Sequence, residues 1–219
     1  CAVYISRVQS EVKGIVRLVK KLKNKIFSWL NHLLYTAIMS LKMMDHLNFQ
    51  MEGYSMTAKI EIVDKPIKAD ITDVADWFLL KGNISNKKIQ KLCYYAEAWS
   101  LTLLDQDIAD HSEFEAWVHG PVNRTLYQIF DGYGWNLLTI TNYEEVKSRL
   151  ELLFSPEQVE VLEAVWDTYG EYGADQLEAL THTERPWLEQ RTGLGKFESS
   201  HNVISSNTMK EYYNSIKIV

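Results

Sequence analysis

Histidine and cysteine carry most of the reactive chemistry this sequence could offer. Histidines stand at 32, 46, 111, 119, 182 and 201, and cysteines at 1 and 93. A helical zinc site wants two imidazoles four residues apart, and a thiolate site wants Cys-x-x-Cys. Neither spacing occurs. His119 and His182 with an acid could hold a metal only if the fold brought them together. Nucleophilic catalysis has no local signature either. Cys93 lies in an apolar helical pattern, and such surroundings raise a thiol's pKa instead of activating it. Gly193-Leu194-Gly195-Lys196 lacks both the spacing and the following hydroxyl of a phosphate loop. No catalytic residue, metal or cofactor is therefore assigned.

Two constellations stand out instead. Glu113 to Arg124 reads Glu-Phe-Glu-Ala-Trp-Val-His-Gly-Pro-Val-Asn-Arg, and Leu180 to Trp187 reads Leu-Thr-His-Thr-Glu-Arg-Pro-Trp. In the first, Phe114, Ala116 and Val118 alternate with Glu115 and Trp117, which predicts a short extended run. Gly120 permits a sharp corner, and Pro121 is expected as the first residue of the following helix, with Val122, Leu126, Ile129 and Phe130. In the second, His182 is expected at a helix end, where a positive charge is favoured. Pro186 then turns the chain, and Trp187 offers an apolar plate. Both could be core corners, yet aromatics and Arg beside rigid turns are also the residue types enriched at interface hot spots.

The elements that must position them read as short helices. Thr72 is expected to cap a helix through Val74, Trp77, Phe78 and Leu80 that ends at Gly82. Ser85 starts another, with Ile89, Leu92, Cys93, Ala96, Ser100 and Leu103 on its buried face. Thr141 with Glu144, and Ser155 with Gln158, fit the capping box, with Pro156 at the first helical position. Leu177 and Leu180, then Pro186 to Gly193, then Ser205 or Ser206 onward complete the helices. Lys59 to Val63 alternates like a strand. The expected fold is mainly α: a compact single-domain helical bundle with one or two short strands.

The chain of 219 residues has a net charge of −6. Residues 1–55 carry eight Lys/Arg against three Asp/Glu, and residues 56–219 carry fifteen against twenty-six. An acidic body excludes nucleic acid as a good electrostatic match and suits a basic protein. Val8, Val12, Ile15, Val19, Leu22, Ile26, Trp29 and Leu33 predict a basic amphipathic N-terminal helix. Residues 8–33 could lie on a membrane surface. No run is long enough to span one, the best candidate being Ile26 to Leu41, broken by Asn31 and His32. Composition shifts at Met56, which reads as the natural start, so 1–55 is treated as an extension and 56–219 as the working domain. A buried Cys93 and no cysteine framework point to a cytoplasmic protein.

With their flanks, the two constellations carry a resemblance. Lys88-Ile-Gln-Lys-Leu-Cys-Tyr-Tyr-Ala96, Phe114-Glu-Ala-Trp117, His119-Gly-Pro-Val122, Tyr127, Tyr169-Gly170, Leu177, Leu180-Thr-His182, Pro186-Trp187 and Tyr212-Tyr213 resemble, in order, the SocA-like Panacea domain family over about 70–216. His119 departs from the family pattern, which often has an aromatic residue before Gly-Pro. The resemblance implies a helical antitoxin, not an enzyme. It would bind and neutralise a protein toxin encoded by an adjacent gene, and could serve as an adaptor to a protease. The expected partner-binding residues are Tyr95, Trp99, Trp117, His119, Arg124, Tyr127, His182 and Trp187. The alternative is a small-molecule-binding or hydrolytic enzyme that uses His119 and His182.

Overall fold

A computed structural model describes residues 68–217. The strand expected at 59–63, the helix at 8–33, the apolar stretch at 26–41, His32, His46 and the 1–55 extension lie outside the described residues. Within them run eight α-helices and two small sheets. The helices are α1 (Ile71–Leu79), α2 (Asn86–Leu103), α3 (Arg124–Phe130), α4 (Tyr143–Leu153), α5 (Pro156–Tyr169), α6 (Ala174–Thr181), α7 (Arg185–Gln190) and α8 (Ser206–Lys217). The strands are β1 (Ile84–Ser85), β2 (Glu115–Trp117), β3 (Gly120–Val122) and β4 (Leu137–Leu138), with β1 antiparallel to β4 and β2 antiparallel to β3. The mainly α expectation holds.

Helix α2 is the axis. Its packing partners include α8, α5, α1, α6 and β3, so every residue from Ile89 to Thr102 is buried. The single buried face expected of it is corrected accordingly, and Leu103 is only half-buried. A helix enclosed on all sides must satisfy its polar residues internally. Gln90 does so through Asn123: its Nε2 donates to Asn123 O at 3.3 Å and its Oε1 accepts from Asn123 N at 2.8 Å. Glu97 Oε2 accepts from Ile108 N at 2.9 Å. Cys93 is fully buried, and burial pushes its thiol well above its ordinary value.

Aromatic rings fill the space between α2, α5 and α8. Tyr95 stacks on Tyr169 with centroids 3.9 Å apart, and Trp99 meets Tyr213 edge-on at 5.1 Å. Glu184, at the start of α7, closes this cluster: its carboxylate accepts from Tyr213 Oη at 2.8 Å and Tyr95 Oη at 3.2 Å. Burial pushes the Glu184 carboxyl up to about 8, against the pull of the two hydroxyls.

Helix starts follow their local chemistry. Ser85 and Ser155 cap α2 and α5 as expected, and Gln158 completes the capping box. Thr72 does not cap α1. Asp70 does, accepting from Thr72 N at 3.0 Å, because an ionised oxygen at a helix start gains from the dipole as well. Nor does Thr141 cap α4, whose first residue follows Asn142.

Candidate functional site

The corner at Glu113 to Arg124 is a β-hairpin. Glu115, Ala116 and Trp117 pair with Val122, Pro121 and Gly120, and Val118 and His119 form the turn. This corrects the expectation that Pro121 opens a helix. It sits in β3, and Asn123 instead caps α3 by accepting from Leu126 N at 3.0 Å. Asn123 Nδ2 also donates to His111 O at 2.6 Å and Glu113 O at 2.9 Å, so one amide ties the hairpin to the helix after it.

Gly120 is required. Its φ is +93°, and a Cβ there would lie 2.7 Å from Lys91 Cε and 2.8 Å from Thr181 Oγ1. The hairpin is therefore pressed directly onto α2 and α6.

Arg191 and Trp187 hold the hairpin from the other side. Arg191 Nη1 donates to Ala116 O at 3.0 Å, and Nη2 reaches Glu198 O at 2.7 Å and Gly195 O at 3.1 Å. Trp187 Nε1 donates to Trp117 O at 3.0 Å. His182 caps the end of α6, as expected, and stacks on Trp187 at 4.0 Å. The expected positive charge on it is corrected: burial holds the imidazole below its ordinary pKa, with Glu178 only partly opposing.

On the front of the hairpin, Glu115 is a hub. It accepts from Arg124 Nε at 2.9 Å and Trp117 Nε1 at 2.7 Å, with His201 Nδ1 also 2.9 Å away. Burial pushes the Glu115 carboxyl up, but Arg124, Trp117 and His201 together hold it below the usual range. Trp117 lies between Tyr127 at 4.8 Å and His201 at 5.6 Å.

The hairpin turn stands between three adjoining clefts, all of which His119 lines. One of about 550 Å³ runs between the turn, α6 and α7, and carries His182, Trp187 and Phe197. A second of about 460 Å³ carries Trp117, Phe197 and His201. The third, about 410 Å³, is walled by Trp117, Tyr127 and Trp135. Phe197 is 78% exposed and Trp135 98% exposed. His119 Nδ1 lies 3.2 Å from Glu178 Oε1, and Lys87 also contacts Glu178. Burial pushes Glu178 up, but Lys87 and His119 hold it below its ordinary value.

Of the residues expected to bind a partner, Trp117, His119, Arg124, Tyr127, His182 and Trp187 gather around this hairpin. Tyr95 and Trp99 do not. They are 0% and 3% exposed inside the Tyr cluster and do not line any of these three clefts. Sequence reasoning passed over Lys91, Glu115, Trp135, Glu178, Arg191 and Phe197. Only Trp135 and Phe197 left a usable signal, as large apolar residues one and two positions after the glycines at 134 and 195. Among the described residues, no group of three or more His, Cys, Asp or Glu could hold a metal ion, and no helix is long and apolar enough to cross a membrane.

Residues 89–188 match the family model described as Antitoxin SocA-like, Panacea domain. This stretch, from the first turn of α2 into α7, is similar to that family and carries the hairpin with most of its surroundings. No curated protein and no solved structure matches the chain.

Proposed function

We propose that this SocA-like Panacea domain makes the protein an antitoxin that neutralises a protein toxin by covering it, with no bond made or broken. The observation that carries the reading is the hairpin face. Exposed Trp135 and Phe197 flank contiguous clefts on a framework braced by Arg191, Trp187 and Asn123. Isolated exposed apolar residues need no explanation, but large aromatics grouped on rigid turns are the anchors interfaces use. A braced face also limits the ordering cost of association. A standard interface of roughly 1,600 Å² in total would cover this face. The excess of carboxylates over residues 56–219 favours a basic partner and speeds its approach.

The working unit in this reading is residues 56–219 in the cytoplasm. Co-expression with the adjacent gene tests it. Toxicity of that gene's product, relieved by this protein and equally by a version lacking 1–55, is expected. A harmless neighbour, or toxicity left unrelieved, would sink the reading. Steady-state toxin should stay constant under neutralisation; a fall would show delivery to a protease in place of occlusion.

A second reading rests on His119, His182 and Glu178 lining one cleft. Among the described residues no Ser, Thr or Cys lines it, so a hydrolytic use would need an imidazole or carboxylate to activate water directly. Substrate turnover by the purified protein, abolished in His119→Ala, together with no relief of the neighbouring gene's toxicity, would favour this alternative.

A further inference from the structure

The 410 Å³ cleft has a lysine in its wall that the fold alone does not explain. Lys91 is 1% exposed, yet among the described residues its ammonium makes one hydrogen bond, to Pro121 O at 3.0 Å. An ammonium has three donors, and burying it against a single neutral acceptor is costly. An aliphatic side chain would fill the same space without that cost. The chain nevertheless makes room for it, since the bare Cα of Gly120 is what clears Lys91 Cε.

Nearby carboxylates do not neutralise Lys91 directly. Glu178 acts on it through space, but its oxygens contact Lys87 and His119. Asp175 is tied to Lys87 at 2.7 Å. Lys91 and Lys87 both line the cleft together with Trp117, Tyr127 and the almost fully exposed Trp135. With Lys87 already paired to Asp175 and Glu178, the buried Lys91 ammonium beside these rings makes a receptor for an anionic head on a short apolar stem.

The geometry points to an anchor site for one carboxylate, an Asp or Glu side chain of the toxin polypeptide, seated on Lys91 with its stem between Trp117 and Trp135. This deepens the antitoxin reading and rests on it. It also explains how an acidic domain would set the register of a basic partner. A carboxylate is repelled over most of this surface and welcomed here, so the site discriminates among docking poses. Burial pushes the Lys91 ammonium down to about 7, so part of the population is neutral near that pH. A bound carboxylate would restore its charge, with Lys87, Asp175, His119 and Tyr127 the other ionisable groups lining the cleft and Glu178 acting on Lys91 from α6.

Calorimetry on the full chain with 3-phenylpropionate and its uncharged amide tests this without the toxin. The acid should bind at least about tenfold more tightly than the amide, as expected when a hydrogen bond becomes charge-assisted. Its binding heat at pH 7.5 should also depend on the buffer's ionisation enthalpy, reporting proton uptake. Lys91→Met should erase the preference, and Trp135→Ala should weaken both ligands while keeping their ratio. The acid–amide ratio and the proton uptake need only the native chain, so a Lys91→Met protein that fails to fold leaves the test standing. Equal binding of acid and amide, or no proton uptake, overturns the anchor even if co-expression still shows neutralisation. An acid preference in a protein that neutralises nothing removes the toxin as the source of the carboxylate.

Discussion

Two regions of this domain are rich in aromatic rings, and they are built in opposite ways. In the cluster between α2, α5 and α8, Tyr94, Tyr95 and Tyr213 are all 0% exposed, and Glu184 collects the hydroxyls of Tyr95 and Tyr213. On the hairpin face, Trp117 and Tyr127 pack on each other, while Trp135 and Phe197 are left open to solvent. The first region spends the polar ends of Tyr95, Tyr213 and Trp99 on internal hydrogen bonds and keeps its rings out of solvent. The second is held rigidly from behind and leaves its rings free. Aromatic content is thus shared, and what separates the two regions is how much ring surface is left open to solvent.

The sharpest way to break that comparison is to truncate one ring in the buried cluster. Tyr213→Ala removes the ring that meets Trp99 and Tyr95 and takes one donor from the Glu184 carboxylate. A loss of about 3–5 kcal/mol in unfolding free energy is expected, read from urea denaturation. A loss below about 1 kcal/mol would mean that the cluster is not the core it is taken for.

Next in size is Gly120→Ala, at the junction between the two regions. The added methyl meets Lys91 and Thr181 at a φ that L-residues rarely adopt. About 1–3 kcal/mol of destabilisation is expected in the same assay, because strain and overpacking act together. A neutral result would show that the hairpin is not pressed onto α2.

Much of this arrangement was legible in the chain. Ser155 with Gln158 announced α5, and the apolar spacing after Ser85 announced α2, because capping and periodicity are local. The hairpin was half legible: alternation marked β2 and Gly120 marked the corner. Pro121 misled because a strand residue whose N–H is not needed suits proline as well as a helix start does. Tyr95 and Trp99 were misplaced for a different reason. The apolar spacing marked one buried face of α2, but the helix is enclosed on every side, so aromatics off that face read as surface anchors. Lys91, Glu97 and Glu184 were invisible as buried groups, since a charged residue becomes internal only through partners that are distant in sequence.

Glu184 supplies a smaller effect with a definite sign. Its folded-state pKa, about 8, lies above the ordinary glutamate value of 4.5. The stability it contributes is fully present below pH 4.5 and is lost as pH rises through 8. Glu97, pushed up to about 8 by burial, acts in the same direction. Lys91 acts in the opposite sense at higher pH, since its depressed value withdraws stability as pH falls from 10.5 through 7. The clean window is therefore pH 5–7. There the Glu184→Gln protein should lose stability less steeply than the unaltered one, by about 1 kcal/mol per pH unit. Parallel curves from urea melts across that window would remove Glu184 from the titrating core.

The smallest effect on folding is expected from Trp135→Ala, and it decides the comparison. Trp135 is 98% exposed and follows Gly134, with a φ of +54°, so its ring contributes almost no buried area to the domain. The unfolding free energy should change by less than about 0.5 kcal/mol. Toxin affinity should nevertheless fall about 30-fold or more, the loss typical of an aromatic anchor at the centre of an interface. Since Tyr213→Ala would lower neutralisation only by lowering the amount of folded protein, dividing activity by folded fraction separates the two mechanisms. If Trp135→Ala proves as destabilising as Tyr213→Ala, the hairpin face is a second core and the surface offered to a partner must lie elsewhere.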